Sequence, residues 1–217
     1  MDSSVFGRSG TLTDGATSTT GKFGSGVLLN GSTDYVSIGR FTPFEVVTAW
    51  TYVAWAKPSS VTNGVNNCVF SYGKVGDAIQ ELMLENSFWR MATQNGALSY
   101  NGVGTGTPEA VIGRWDHVAV TSSAAGAMKL YVGGVERATL THTTKAGDST
   151  FYLRIGQGTY SNTETLRFFA GVIDDARVYN RELSATEIAA LFNKENSMPN
   201  ELSKSYRPGP YRPGMAR

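Results

Sequence analysis

Trp50-Thr51-Tyr52-Val53-Ala54-Trp55-Ala56-Lys57-Pro58 is the stretch that decides the fold. Successive side chains of a strand point to opposite faces. Trp50, Tyr52, Ala54 and Ala56 therefore share one face, and Thr51, Val53 and Trp55 the other. Aromatic and β-branched residues suit a pleated surface packed on both sides. Lys57-Pro58 closes the run, because proline has no N–H to give to a ladder.

Short runs of the same kind extend outward in both directions. Toward the amino terminus lie Val27-Leu28-Leu29, running into the turn dipeptide Asn30-Gly31, and then Tyr35-Val36-Ser37-Ile38. Toward the carboxyl terminus come Val69 to Tyr72, Ile79 to Leu84, Phe88 to Thr93 and Trp115 to Thr121. Met128 to Val132 and Val135 to Leu140 flank Gly133-Gly134, a pair suited to a two-residue hairpin because both residues accept positive φ. Phe151 to Ile155 follows, and Phe168 to Tyr179 reads as the last long strand. Asn86-Ser87 and Asn95-Gly96 read as turns, and Thr105 to Pro108 as a loop. About ten to fourteen short strands at this spacing predict an all-β sandwich or barrel. One helix is expected. Ser184-Ala185-Thr186-Glu187 forms a capping box, followed by the apolar stripe Ile188, Leu191 and Phe192, with an end near Asn193.

Composition agrees with a turn-rich sheet protein. Glycine contributes 25 of 217 residues and charged residues only 17%. A chain this long buries roughly 70% of its unfolded surface and needs no covalent staple. The single cysteine, Cys68, excludes an intrachain disulfide and reads as a small buried apolar residue. Nineteen Lys and Arg against eighteen Asp and Glu leave a net charge of +1, which predicts no nucleic-acid partner. No apolar run approaches the ~20 residues of a membrane span. Met1 to Gly7 has neither a basic nor an apolar signal region, so the chain is expected to remain where it is translated unless a partner carries it out.

The expected organisation is an extended leading segment over 1–21, a β-sandwich over 22–192 and a tail over 193–217. The tail carries Pro199, Pro208, Pro210 and Pro213 and the short repeat Tyr206-Arg207-Pro208-Gly209, Tyr211-Arg212-Pro213-Gly214. Its five basic and two acidic side chains give it a net +3. Such a segment builds no packed core. It is expected to be a docking arm, with Tyr206, Arg207, Tyr211 and Arg212 as the anchors, since Tyr and Arg most often anchor interfaces. The competing expectation is a solvated end.

Four stretches, in order, resemble the laminin-G-like branch of the concanavalin A-like lectin and glucanase superfamily. They are Lys22 to Val36, Trp50 to Pro58, Arg114 to Thr121 continuing to Gly134, and Phe169 to Arg181 continuing through Leu183 to Ile188. Asn30 and Gly133 depart from the family pattern at turn residues only. The resemblance implies a jelly roll of two curved antiparallel sheets. It does not specify function, because the fold hosts lectins, glycosidases, adhesion modules and structural domains.

Glycoside hydrolysis needs two carboxylates flanking the scissile bond, about 5–5.5 Å apart for retention. Glucanases of this fold carry alternate acids on one strand. The nearest stretch here is Glu81-Leu82-Met83-Leu84-Glu85. Met83 stands at the central position and cannot share a proton, and Glu81 and Glu85 on a strand lie about 13 Å apart. The expectation is Leu82 and Leu84 in the core with both Glu residues outside, and no enzyme. His117 is expected to be a structural histidine within a strand, and His142 to lie at an exposed strand end or loop.

Sugar binding calls for exposed aromatic platforms beside polar groups, and Tyr72, Trp89, Tyr100 and Tyr160 are the candidates. Of the neighbours Phe88 and Trp89, one must face away from the core. The family resemblance implies a possible structural Ca²⁺ at Asp34, Asp174 and Asp175, against turn capping and a salt bridge to Arg177.

Together these features look like a non-enzymatic module, most of all a phage head-decoration or fibre-type virion protein displaying a lectin-like jelly roll. It would dock on a larger assembly such as a capsid, form a homo-oligomer, and pass from the host cytoplasm to the virion surface. A free Ca-dependent lectin or adhesin and a glycoside hydrolase of the same superfamily are the alternatives.

Overall fold

The computed structural model describes residues 9–40, 49–61, 67–73, 78–95, 100–104, 106, 109–141, 151–160 and 165–196. At positions 78–79, 94–95, 100–102, 159–160, 165–166 and 194–196 only the backbone is described. His142 and the proposed anchors Tyr206, Arg207, Tyr211 and Arg212 lie outside the described residues.

The strands are β1 (Thr11–Thr13), β2 (Thr17–Thr20), β3 (Ser25–Asn30), β4 (Tyr35–Arg40), β5 (Trp50–Pro58), β6 (Asn67–Gly73), β7 (Ala78–Glu85) and β8 (Phe88–Asn95). They continue as β9 (Tyr100–Gly104), β10 (Asp116–Ser122), β11 (Ala127–Val132), β12 (Val135–Thr141), β13 (Tyr152–Ile155), β14 (Gln157–Tyr160), β15 (Thr165–Phe168) and β16 (Ala170–Tyr179). The first sheet runs β1-β4-β13-β6-β7-β8-β9, and the second runs β12-β11-β10-β5-β16-β3-β2. Every pairing is antiparallel, as expected for a jelly-roll sandwich. β14 and β15 form a separate hairpin.

The core fills the space between the sheets. Phe70, Tyr72, Leu82, Leu84, Trp89 and Met91 come from the first sheet, and Trp50, Tyr52, Val118, Val120 and Leu130 from the second. Trp50, Tyr52 and Phe70 stack in series, with centroids 4.4 and 5.1 Å apart. β5 lies at the centre of its sheet and is buried along its whole length except at Lys57. Its inner face joins the core. Its outer face is covered by helix α1 (Ala185–Asn196), where Val53, Ala119 and Tyr131 meet Leu183 and Ile188. The capping box forms as read: Ser184 Oγ accepts from the Glu187 amide at 3.3 Å, and the Glu187 carboxylate accepts from the Ser184 amide at 2.9 Å.

Turn chemistry agrees with the sequence at two hairpins. Gly133 and Gly134 have φ of 61° and 76° between β11 and β12, and Asn86 and Ser87 have 51° and 67° between β7 and β8.

Two expectations are corrected. Residues 11–20 of the leading segment are part of the sandwich, because β1 pairs with β4 in one sheet and β2 with β3 in the other. These short strands are Thr-rich and show no apolar alternation. Backbone pairing along a sheet edge recruits them. The long segment Phe168 to Tyr179 is also not one strand. Phe168 ends β15 and Ala170 begins β16, so the chain changes sheet at Phe169, which is fully buried.

Candidate functional site

The site with the most chemistry lies on the outer face of the first sheet. Leu82 and Leu84 of β7 point into the core, so the alternation sends Glu81 and Met83 to the opposite face. That face is not open at this point. Glu81 is fully buried, because the β14–β15 hairpin packs against β6 beside it. Arg167 of β15 reaches down, with Nη1 3.0 Å from Glu81 Oε2 and 3.4 Å from Met83 Sδ. This corrects the expectation that Glu81 stands outside in solvent. Alternation sets the direction of a side chain, and a later strand decides whether that direction leads to water. Glu85, at the end of β7, is partly exposed and paired with Arg90.

Cys68 borders the same cluster. Its Sγ lies 3.1 Å from the Phe70 carbonyl and 3.8 Å from that of Leu82. Burial raises its pKa well above the ordinary value, and the Glu81 charge adds to that, while Arg167 and Arg154 pull the other way. The thiol stays protonated and is no nucleophile. Gly158 of β14 passes so close that a Cβ there would strike both Glu81 Oε1 and Cys68 Sγ. The hairpin can seat only because this residue has no side chain.

The candidate sugar platforms separate. Tyr72 is 1% exposed and Trp89 is 0% exposed, so neither ring can offer a face to a sugar. Tyr72 packs edge-on against Phe151, with centroids 5.5 Å apart. The Trp89 indole N–H donates to Asp116 Oδ2 at 3.0 Å, and Asp116 in turn accepts from Arg114 Nε at 2.8 Å. A buried tryptophan needs such a partner, and Asp116 supplies it inside the sandwich. Phe88 is then the residue turned outward. Tyr100 lies in β9 and Tyr160 in β14; their side chains are outside the described residues. Two aromatics not singled out as platforms are accessible. Tyr152 of β13 is 46% exposed, and the half-buried Trp115 has Lys57 Nζ 5.1 Å from its ring centroid.

The carboxylates proposed for calcium do not fit a calcium site. Asp34 accepts from the Gly15 amide at 3.0 Å, the Asn30 amide at 3.1 Å and the Thr33 hydroxyl at 3.0 Å. Asp174 accepts from the Phe23 amide at 2.8 Å and the Asp175 amide at 2.7 Å. Asp34 thus serves the last residue of β3, and Asp174 serves the segment just before it, so they sit at opposite ends of one strand. Asp175 occupies a bulge with φ of 47° and pairs with Arg177 at 2.6 Å. Calcium needs six to eight oxygens in one place. Here the donors are N–H and O–H groups. Among the described residues no group of three or more His, Cys, Asp or Glu is placed to hold a metal.

His117 is 1% exposed between β5 and α1. Its ring lies 5.3 Å from Trp55 and 5.7 Å from Phe192. Burial lowers its pKa to about 4, with Asp175 opposing and Arg177 adding to the shift, so the imidazole is neutral at pH 7. It packs as a structural residue.

Two residues of this face were missed in the sequence. Arg167 carried no signal, because its partner is 86 residues away. Tyr152 did carry one. In Phe151-Tyr152-Leu153-Arg154-Ile155 the alternation already puts Tyr152 and Arg154 opposite Leu153.

No helix among the described residues is long and apolar enough to cross a membrane. No curated protein matches the sequence. Solved structures do match. Domain 4 of AbnA, a GH43 extracellular arabinanase from Geobacillus stearothermophilus in complex with arabinotriose, matches with a TM-score of 0.67 and 21% identity over 84% of this chain and 87% of that one. The heptameric SAP-like pentraxin of Limulus polyphemus gives 0.54 and 18% over 67% and 70%. The receptor binding domain of botulinum neurotoxin C/D mosaic serotype gives 0.66 and 15% over 88% and 48%, so this chain spans about half of it. At these identities the likeness concerns the fold. The Laminin_G_3 family profile, described as concanavalin A-like lectin/glucanases superfamily, matches residues 30–189, and with two antiparallel sheets in the order found here the chain belongs to that family.

Proposed function

We propose that this chain is a non-catalytic binding module that presents its sandwich to glycans. The observation that carries the reading is the state of Glu81. Glu81, the first acid of the stretch nearest to the alternating acids of glucanases, is sealed under a hairpin and paired with Arg167. Its neighbour on the same face is Met83. An acid sealed in this way cannot protonate a leaving group, and Glu85, the next acid on the strand, is paired with Arg90. Accessible aromatic and cationic side chains on the outside of the sandwich support binding. So does a similar domain whose structure holds arabinotriose.

The test is a glycan array combined with turnover assays on laminarin and arabinan. Selective retention without reducing-sugar release is the expected result. Reducing-sugar release by the purified parent chain would overturn the reading.

Display on a larger assembly, of the virion-decoration or fibre type, is the second reading. It rests on the Tyr-Arg-Pro-Gly repeat, which follows a helix anchored to the sandwich by Leu183 and Ile188. A chain truncated after Asn196 is expected to fold but not to join its assembly. Full incorporation of the truncated chain would remove this reading.

A further inference from the structure

The outer face of the first sheet has a second region, beside the sealed cluster. Tyr152 and Arg154 are two residues apart on β13, with Leu153 buried between them, so both project outward. Arg154 holds its guanidinium carbon 5.4 Å from the Tyr152 ring centroid. A planar cation resting on an aromatic ring is pre-organised, and less side-chain freedom is lost when it binds.

A third side chain joins them through an irregularity in β4. The pairing of β13 with β4 runs Tyr152–Arg40 and Leu153–Gly39, then skips to Arg154–Ser37. Ile38 is the extra residue, and Gly39 beside it has φ of 75°. Ile38 packs against the core, and without the bulge Arg40 would follow it inward. The bulge instead puts Arg40 directly across from Tyr152, on the same face and exposed.

Along the register the row runs Ser37, Arg154, Ser71, Glu81. The one acid in that row is matched by Arg167. Among the described residues no carboxylate forms an ion pair with Arg154, whose contact is with the Tyr152 ring.

The geometry points to Tyr152, Arg154 and Arg40 as a subsite for a carboxylate-bearing sugar, a uronate or a sialate. The sugar ring packs against the exposed part of Tyr152, and its carboxylate takes the two N–H donors that a guanidinium fork presents in parallel. This deepens the glycan-binding reading and rests on it.

Isothermal titration against trigalacturonate and neutral galactotriose, and against sialyllactose and lactose, is the test. One acidic sugar is expected to bind at least about tenfold more tightly than its neutral counterpart, as one charge-assisted bond implies. Arg154→Gln is expected to erase that preference, Arg154→Lys to keep part of it, and Tyr152→Ala to weaken the acidic and neutral sugars alike. All three positions are partly or fully exposed, so an unchanged melting temperature verifies the fold of each variant. Equal affinity for acidic and neutral sugars, or an Arg154→Gln chain that keeps the preference, overturns the subsite and leaves the glycan reading standing. Binding of no sugar at all overturns both.

Discussion

Arg167 on β15 and Glu81 on β7 hold each other at 3.0 Å beneath the outer surface of the first sheet, 86 residues apart in sequence. The pair fastens a two-stranded hairpin across a sheet that would otherwise end in an open face. Removing water from two charges is costly, and their attraction offsets that only when both remain. Deleting one strands the other. Glu81→Gln and Arg167→Met are therefore each expected to destabilise the chain by about 3–5 kcal/mol, while the double change Glu81→Leu with Arg167→Met recovers most of the loss. Urea denaturation of the three variants measures this. A double variant as unstable as the sum of the singles would show that the pair contributes by packing and not by charge.

Gly158 makes a second prediction on the same hairpin. A methyl group there meets Glu81 and Cys68, neither of which has room to move. Gly158→Ala is expected to lift the hairpin and expose Cys68 in the folded protein. Labelling with a disulfide reagent reads this directly: slow for the parent, where the thiol is buried and its pKa raised, and faster for the variant. Equal labelling rates would mean that the hairpin does not seal the thiol.

His117 makes the fold acid-sensitive in a defined window. Its folded-state pKa is lowered to about 4, below its ordinary 6.5. The unfolded chain therefore takes up the proton first as pH falls. Stability from this group is complete above pH 6.5, declines as pH falls toward 4, and levels off below that. At 1.36 kcal/mol per unit the loss amounts to about 3 kcal/mol. Melting temperatures across that range test the trend. The chain has only two histidines, so an NMR titration can assign the pKa even if His117→Phe fails to fold. A His117 titrating near 6.5 in the native state would remove the effect.

Calcium is expected to leave stability unchanged. A cation bound only by the folded state at a hundred times its Kd would add about 2.7 kcal/mol. Asp34 and Asp174 already spend their oxygens on main-chain amides, so EDTA and calcium chloride are expected to give the same melting temperature. A clear rise with calcium would place a site outside the described residues.

Much of this architecture is legible in the sequence, because the signals involved are local. The alternation in Trp50 to Ala56 names a strand, Gly133-Gly134 names a hairpin, and Ser184 with Glu187 names a helix start. Each depends on residues within a few positions of one another. Met83 between Glu81 and Glu85 already argues against an acid pair. The sequence also requires that one of Phe88 and Trp89 face away from the core.

Only the tertiary structure decides which one. Trp89 turns inward because Asp116, on a strand of the opposite sheet, waits for its indole N–H. Tyr72 is lost as a platform because its side of β6 is the core side. Glu81 and Tyr152 both point outward, yet one is sealed and the other is open, and β14–β15 makes that difference. Alternation along a strand is a property of the backbone. Solvent access depends on what another part of the chain lays over that face, and no local pattern encodes a contact across so many residues.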